Sequence, residues 1–167
     1  MAIVLTNKLV FLEHPRTGST AVRRAIRAIG GQTRARHALV APTGREKTVS
    51  TIRDPYDLLI SWWLVIKDRT GSWSSLAEFV SSYNNMNMVR NGRLFYFRTD
   101  YTMRYLRLQE DLNKVLRTVH IRPVRLEHVN ITPDKQPFMS YHTTETIEII
   151  NTRFAQDVEE YSHDRLV

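Results

Sequence analysis

Apolar positions recur with two different periods along this chain, and the alternation between them lays out most of its elements. Residues 8–12, carrying Leu9-Val10-Phe11-Leu12, form a short apolar, β-rich run that predicts a buried first strand. Beyond a hydroxyl-rich turn, Val22, Ala25, Ile26 and Ile29 recur at helical steps over Ala21 to Ile29, with Arg23, Arg24 and Arg27 on other faces. Gly30-Gly31 ends that helix. Gln32 to Lys47 shows neither period and reads as a polar, Arg-rich loop. Thr48-Val49-Ser50-Thr51-Ile52 alternates and is β-branched, which predicts a second, parallel strand. Asp54 as N-cap and Pro55 as first helical residue then open a helix through Leu58, Leu59, Trp62 and Val65 to about Lys67.

Thr70-Gly71-Ser72 is a turn, and Ser74 to Ser82 a short helix carrying Leu76, Phe79 and Val80. Residues 83–100 are rich in amides, Met and aromatics and receive no element; their composition suits an acceptor-binding loop or a satellite core. Tyr101 to Arg107 reads as a third strand and Gln109 to Thr118 as a helix with Leu112, Val115 and Leu116 inward. Val124 to Asn130 leads into a loop over 131–140. Thr143 to Tyr161 is predicted as one last helix, with Ile147, Ile150, Phe154, Val158 and Tyr161 at steps of three or four. Strands alternating with helices predict an α/β domain on a parallel sheet, and 167 residues suit a single domain.

Composition narrows the chemistry. With no Cys, disulfides and thiolate metal sites are excluded, and the six His show no metal-ligand spacing, so no metal is expected. Met1 to Leu5 is too short for a signal-peptide core, and no apolar run approaches the ~20 residues that span a bilayer, so a soluble, cytoplasmic protein without a membrane partner is expected. The net charge is +7, carried by 19 Arg against 5 Lys. Arg predominates where planar, bidentate contact with phosphate, sulfate or carboxylate is needed, although a solvated basic surface has the same composition.

One stretch gives that charge a use. Phe11-Leu12-Glu13-His14-Pro15-Arg16-Thr17-Gly18-Ser19-Thr20 passes from strand through tight turn to helix, the arrangement by which α/β proteins hold a phosphate. The helix N-terminus offers unpaired N–H groups, Gly18 allows close backbone approach, Ser19 and Thr20 add hydroxyls, and Arg16 adds a permanent charge. Arg53 falls at the C-terminal end of the second strand, where ligands bind in open α/β sheets, and Ser61 lies two turns into the helix beyond.

A phosphate loop after the first strand, followed by Arg53-Asp54-Pro55 opening a later helix with Ser61 eight residues beyond the Arg, resembles the sulfotransferases that use 3′-phosphoadenosine 5′-phosphosulfate (PAPS). The carbohydrate and bacterial-type branch, with loops like Pro-Lys-Thr-Gly-Ser/Gly-Thr, is the most similar. Downstream, Tyr101 to Leu112, ending Leu108-Gln109-Glu110-Asp111-Leu112, looks like that family's strand-then-helix segment, and Leu126-Glu127-His128-Val129-Asn130-Ile131-Thr132 and Phe154 to Tyr161 also look like its segments. The resemblance implies a three-layer, P-loop-like parallel sheet flanked by helices. It implies that Pro15, Arg16, Thr17, Gly18, Ser19 and Thr20 wrap the 5′-phosphosulfate of PAPS. Arg53 and Ser61 would hold the 3′-phosphate, joined by Lys135 in the late loop, with 3′-phosphoadenosine 5′-phosphate as product; a helix-start salt bridge for Arg53, an ordinary helical Ser for Ser61 and an exposed loop Lys for Lys135 are the competing readings. Two departures stand out: the family's loop Lys is Arg16 here, and the family's His two residues before the loop Pro is Glu13, with His14 next to Pro15.

The implied reaction moves a sulfonate group to an acceptor hydroxyl or amine, with positioning, charge stabilisation and acceptor deprotonation as the protein's tasks. Arg16 would stabilise the leaving phosphate electrostatically, since a guanidinium does not give up its proton near neutral pH. His37 is the first candidate for the base, matching a His often seen after the first helix of bacterial-type members; a surface His is the competing reading. Glu13 and His14 are the second choices. A small-molecule or glycan acceptor is expected, an anionic one suiting the Arg content. The alternatives are a nucleotide or small-molecule kinase, which lacks its Gly-x-x-x-x-Gly-Lys-Ser/Thr here, and a basic nucleic-acid-binding protein, disfavoured because the aromatics are not interleaved with the Arg residues.

Overall fold

Ala2, Ile3, Leu5 and Leu9 to Phe11 are almost wholly buried, where residues 2–5 pair antiparallel with residues 9–12. The computed structural model describes residues 2–5, 8–35, 46–82, 89, 92–95, 98–127 and 135–163. In chain order the strands are β1 (Ala2–Leu5), β2 (Leu9–Leu12), β3 (Gln32–Ala35), β4 (Lys47–Ile52) and β5 (Tyr101–Arg104). The helices are α1 (Ser19–Ala28), α2 (Pro55–Thr70), α3 (Leu76–Ser82), α4 (Leu108–Thr118), α5 (Thr144–Arg153) and α6 (Ala155–Ser162). The fold is mixed α/β. None of these helices is long and apolar enough to cross a membrane among the described residues. By contacts the chain forms two compact units, 1–52 with 97–131 and 165–167, and 53–96 with 132–164.

The first unit is built on an open five-stranded sheet of order β3-β1-β2-β4-β5. The parallel strands expected from the sequence are there: β2 pairs with β4, and β4 with β5, in parallel register. The sheet as a whole is mixed, not parallel, because β1 runs antiparallel to both β2 and β3. Two strands therefore correct the sequence reading. β1 was too short to separate from any apolar tail, and it becomes a strand by pairing Ala2 with Leu12 and Leu5 with Leu9. β3 falls in the expected loop: Gln32-Thr33-Arg34-Ala35 has no apolar alternation and is held by its backbone pairing with β1.

One face of this sheet presents Ile3, Leu5, Leu9, Phe11, Val49 and Met103 to Val22, Ala25 and Ile26 of α1 and to Leu108, Leu112, Val115 and Leu116 of α4. This is the larger apolar cluster, and it fixes where α1 begins relative to the end of β2. The third strand is shorter than expected. After Arg104 the chain turns through one 3₁₀ turn, Tyr105–Arg107, and the Arg104 N–H donates to buried Asp111 at 2.9 Å. Gln109 and Asn113 of α4 hold the chain that follows: Gln109 donates to the Val124 carbonyl at 2.7 Å and accepts from the Leu126 N–H at 2.7 Å, while Asn113 accepts from the Val124 N–H at 3.1 Å.

The second unit is helical, comprising α2, α3, α5 and α6. Asp54 caps α2 as expected, accepting from the Tyr56 N–H at 2.9 Å and the Asp57 N–H at 3.3 Å, and Gly71 at φ 64° ends it. The single last helix expected over Thr143 to Tyr161 is two helices broken at Phe154 (φ −121°). Beyond the break Asp157 is fully buried, accepting the Leu94 and Phe95 N–H groups at 3.0 Å and the Arg93 Nε at 3.0 Å. The apolar spacing runs through the break undisturbed, so the sequence pattern could not reveal it.

Candidate anion-binding site

The loop between β2 and α1 has an unusual backbone. Arg16 and Gly18 are both left-handed, at φ 66° and 80°, with Thr17 between them at negative φ. Alternation of hand turns successive N–H groups toward one side, the geometry by which backbone concavities hold anions. Gly18 is also the N-cap of α1, which has no side-chain cap and no acidic residue in its first turn. The helix dipole at that end is therefore left without a counter-charge from its own first turn.

Gly18 is required twice over. Its φ suits glycine, and a Cβ there would lie 2.6 Å from Leu108 Cδ2 and 3.1 Å from Tyr105 Cδ2. Tyr105 and Leu108 thus back the loop, a role that only the three-dimensional contact reveals. Thr17 is fully buried, and its hydroxyl donates to the His14 carbonyl at 2.8 Å. Having spent its proton there, it accepts from Thr51 of β4 at 2.5 Å. Thr17 thereby shapes the loop with its side chain. Ser19 is buried; Pro15, Arg16 and Thr20 are partly exposed.

The two acid–base candidates beside the loop differ in character. His14 is 2% exposed, and burial pushes its imidazole pKa down to about 3, so it is neutral at physiological pH and a weak proton acceptor. Glu13 has its carboxyl pKa raised by burial, with Arg23 opposing from 3.5 Å. The Glu13 Oε1 is buried without a hydrogen-bond partner among the described residues. A raised carboxyl pKa is the direction in which a general base near neutral pH must move. His37 lies outside the described residues, as do His128, Asn130 and Thr132.

The second cluster belongs to the helical unit. Arg53, the first residue after β4, is 7% exposed, and its Nε donates to Asp57 Oδ2 at 2.6 Å. Lys135 donates its ammonium to the other oxygen of the same carboxylate. Burial pushes the Asp57 carboxyl upward, but the hydrogen bonds and charges of Arg53 and Lys135 outweigh it and hold the pKa below the usual carboxylate range. Ser61 is buried in α2, at 2% exposed. Trp63 packs edge-on to Tyr141, with the Lys67 ammonium 4.8 Å from its ring. Asp57 was not among the residues singled out from the sequence; the available signal was its position four residues beyond Arg53, one turn along the same helix start.

Comparison of the chain with family models, with curated proteins and with solved structures found no match.

Proposed function

We propose that this protein is a PAPS-dependent sulfotransferase, transferring a sulfonate group to a hydroxyl or amine of a glycan or small-molecule acceptor. The observation that carries the reading is the meeting of Arg53 and Lys135 on Asp57. The resemblance implies a 3′-phosphate role for Arg53 by motif position and for Lys135 by its place in the late loop, and Lys135 lies 78 residues beyond Asp57 in the chain. The Arg53–Asp57 pair is also the helix-start salt bridge of the competing reading, so the arrival of Lys135 on the same carboxylate is what favours the phosphate role. The left-handed, uncapped loop at Pro15 to Thr20 supports the other half of the reading, a binding place for the 5′-phosphosulfate. A three-layer, P-loop-like arrangement and a cytoplasmic location belong to the same proposal.

In this reading Arg16 and the loop N–H groups stabilise charge on the departing phosphate. The acceptor proton goes to a base, for which His37 and Glu13 are the candidates; neutral, weakly basic His14 fits that role less well. The test begins with binding. Thermal shifts with 3′-phosphoadenosine 5′-phosphate should exceed those with ADP and 5′-AMP, and Arg53→Ala should abolish the difference. Equal shifts in the parent protein refute the 3′-phosphate site. Labelled PAPS with a panel of glycan, phenol and amine acceptors then tests transfer.

A further inference from the structure

Asp57 joins two cations through its two oxygens, Oδ2 to Arg53 and Oδ1 to Lys135. The side chains of Arg53, Asp57 and Lys135 are 9%, 10% and 17% exposed, so the cluster is largely withdrawn from water. We propose that Asp57 is the positioning residue of the anion site, the group that keeps Arg53 and Lys135 side by side so that both can address one phosphate. The inference rests on the reading of those two cations as 3′-phosphate ligands.

The opposite expectation has to be met first. A carboxylate repels an anionic ligand, so removing its charge ought to tighten binding. Counting charges decides against that. With Asp57 in place the three groups sum to one positive charge. Without it, Arg53 and Lys135 are two like charges in a poorly solvated place, and they repel. Lys135 has a strongly hydrated ammonium on a flexible stem, so it is the one that leaves for water. One positive charge remains, as before, and the Lys135 donors are gone. Deleting the carboxylate charge therefore loses donors without gaining attraction. An amide in its place keeps one acceptor oxygen and turns its NH₂ donors toward the second cation.

The test uses the full chain and isothermal calorimetry with 3′-phosphoadenosine 5′-phosphate and 5′-AMP. Asp57→Asn should cut the preference for the 3′-phosphate by roughly tenfold, the worth of about one charge-assisted hydrogen bond. Affinity for 5′-AMP should stay within about twofold, well inside that tenfold step. Lys135→Ala should cost the parent at least that factor, because it removes the Lys135 donors and leaves Arg53 and Asp57 with no net charge. It should cost Asp57→Asn almost nothing further, since Lys135 has already left the site there. A preference retained or increased in Asp57→Asn, or full additivity with Lys135→Ala, overturns the role. If Asp57→Asn fails to fold, Asp57→Glu keeps the charge while displacing the carboxylate, and an unchanged preference there overturns the role equally. A parent protein with no preference refutes the 3′-phosphate reading and this role with it; a parental preference that survives in the variants refutes the role alone.

Discussion

The hydroxyl oxygens of Thr17 and Thr51 lie 2.5 Å apart, and Thr51 is the donor because Thr17 gives its proton to the His14 carbonyl. A buried hydrogen bond of this kind ties the loop between β2 and α1 to the neighbouring strand β4, so the loop's shape depends on a residue 34 positions away in sequence. Thr51→Val removes the donor while keeping the β-branched shape, and leaves a Thr17 lone pair unsatisfied. Urea denaturation should show a loss of about 1–2 kcal/mol, with the Thr17–His14 bond retained. A midpoint equal to the parent's would show that the pair contributes nothing.

Gly18→Ala should be worse, because two independent costs combine. A left-handed φ of 80° disfavours any L side chain by about 1–2 kcal/mol, and the new Cβ would sit 2.6 Å from Leu108 Cδ2. Leu108→Ala in the same chain removes the second cost but not the first. The double variant should therefore be more stable than additivity of the two single variants predicts, and strict additivity would show that Gly18 and Leu108 do not compete for space.

These two contacts show where the sequence was legible and where it stopped. β2, α1, β4 and the start of α2 were readable because each carries a strong local signal: an apolar run, a helical repeat, a β-branched alternation, an Asp-Pro cap. β3 was not, because Gln32 to Ala35 is polar and its pairing with β1 is a backbone matter. β1 was not, because four apolar residues are ambiguous until Leu9 to Leu12 lies beside them. The break at Phe154 leaves the apolar spacing intact, so only the structure reveals it. At the candidate site, Arg53 was visible as a charge in a motif and Lys135 as a charge in the late loop, whereas Asp57 between them, Thr51 beneath the loop and Tyr105 behind Gly18 depend on contacts across the fold.

His14 gives the stability a pH dependence of definite sign. Its folded-state pKa is about 3, well below the ordinary 6.5, because burial disfavours the imidazolium. Between those values the unfolded chain binds a proton that the folded chain does not. Stability from this group is therefore full above about pH 6.5 and falls as pH drops toward 3, with a limiting slope of about 1.4 kcal/mol per pH unit. His14→Gln should remove that part of the slope between pH 6 and pH 4 in urea denaturation. Parallel curves for parent and variant over that range would show that His14 does not stay neutral in the fold.

Arg16 combines a strained backbone with the charge assigned to the leaving phosphate, and one substitution separates the two. At φ 66° it adopts a conformation that suits glycine, at a cost of about 1–2 kcal/mol for an L residue. Arg16→Gly relieves the backbone while deleting the guanidinium, so the relief offsets whatever the side chain contributes to the fold, and stability should stay within about 1 kcal/mol of the parent. Sulfonate transfer should fall by at least about a hundredfold, the usual scale for losing one preorganised electrostatic donor. Arg16→Lys keeps a charge and a proton-donating group and should recover part of the rate, while Arg16→Ala keeps neither the charge nor the relief. Binding of 3′-phosphoadenosine 5′-phosphate should persist in all three, because the loop N–H groups and the Arg53 cluster remain. Full turnover in Arg16→Gly would mean that the residue serves only the turn, and the charge on the leaving group would have to be met elsewhere.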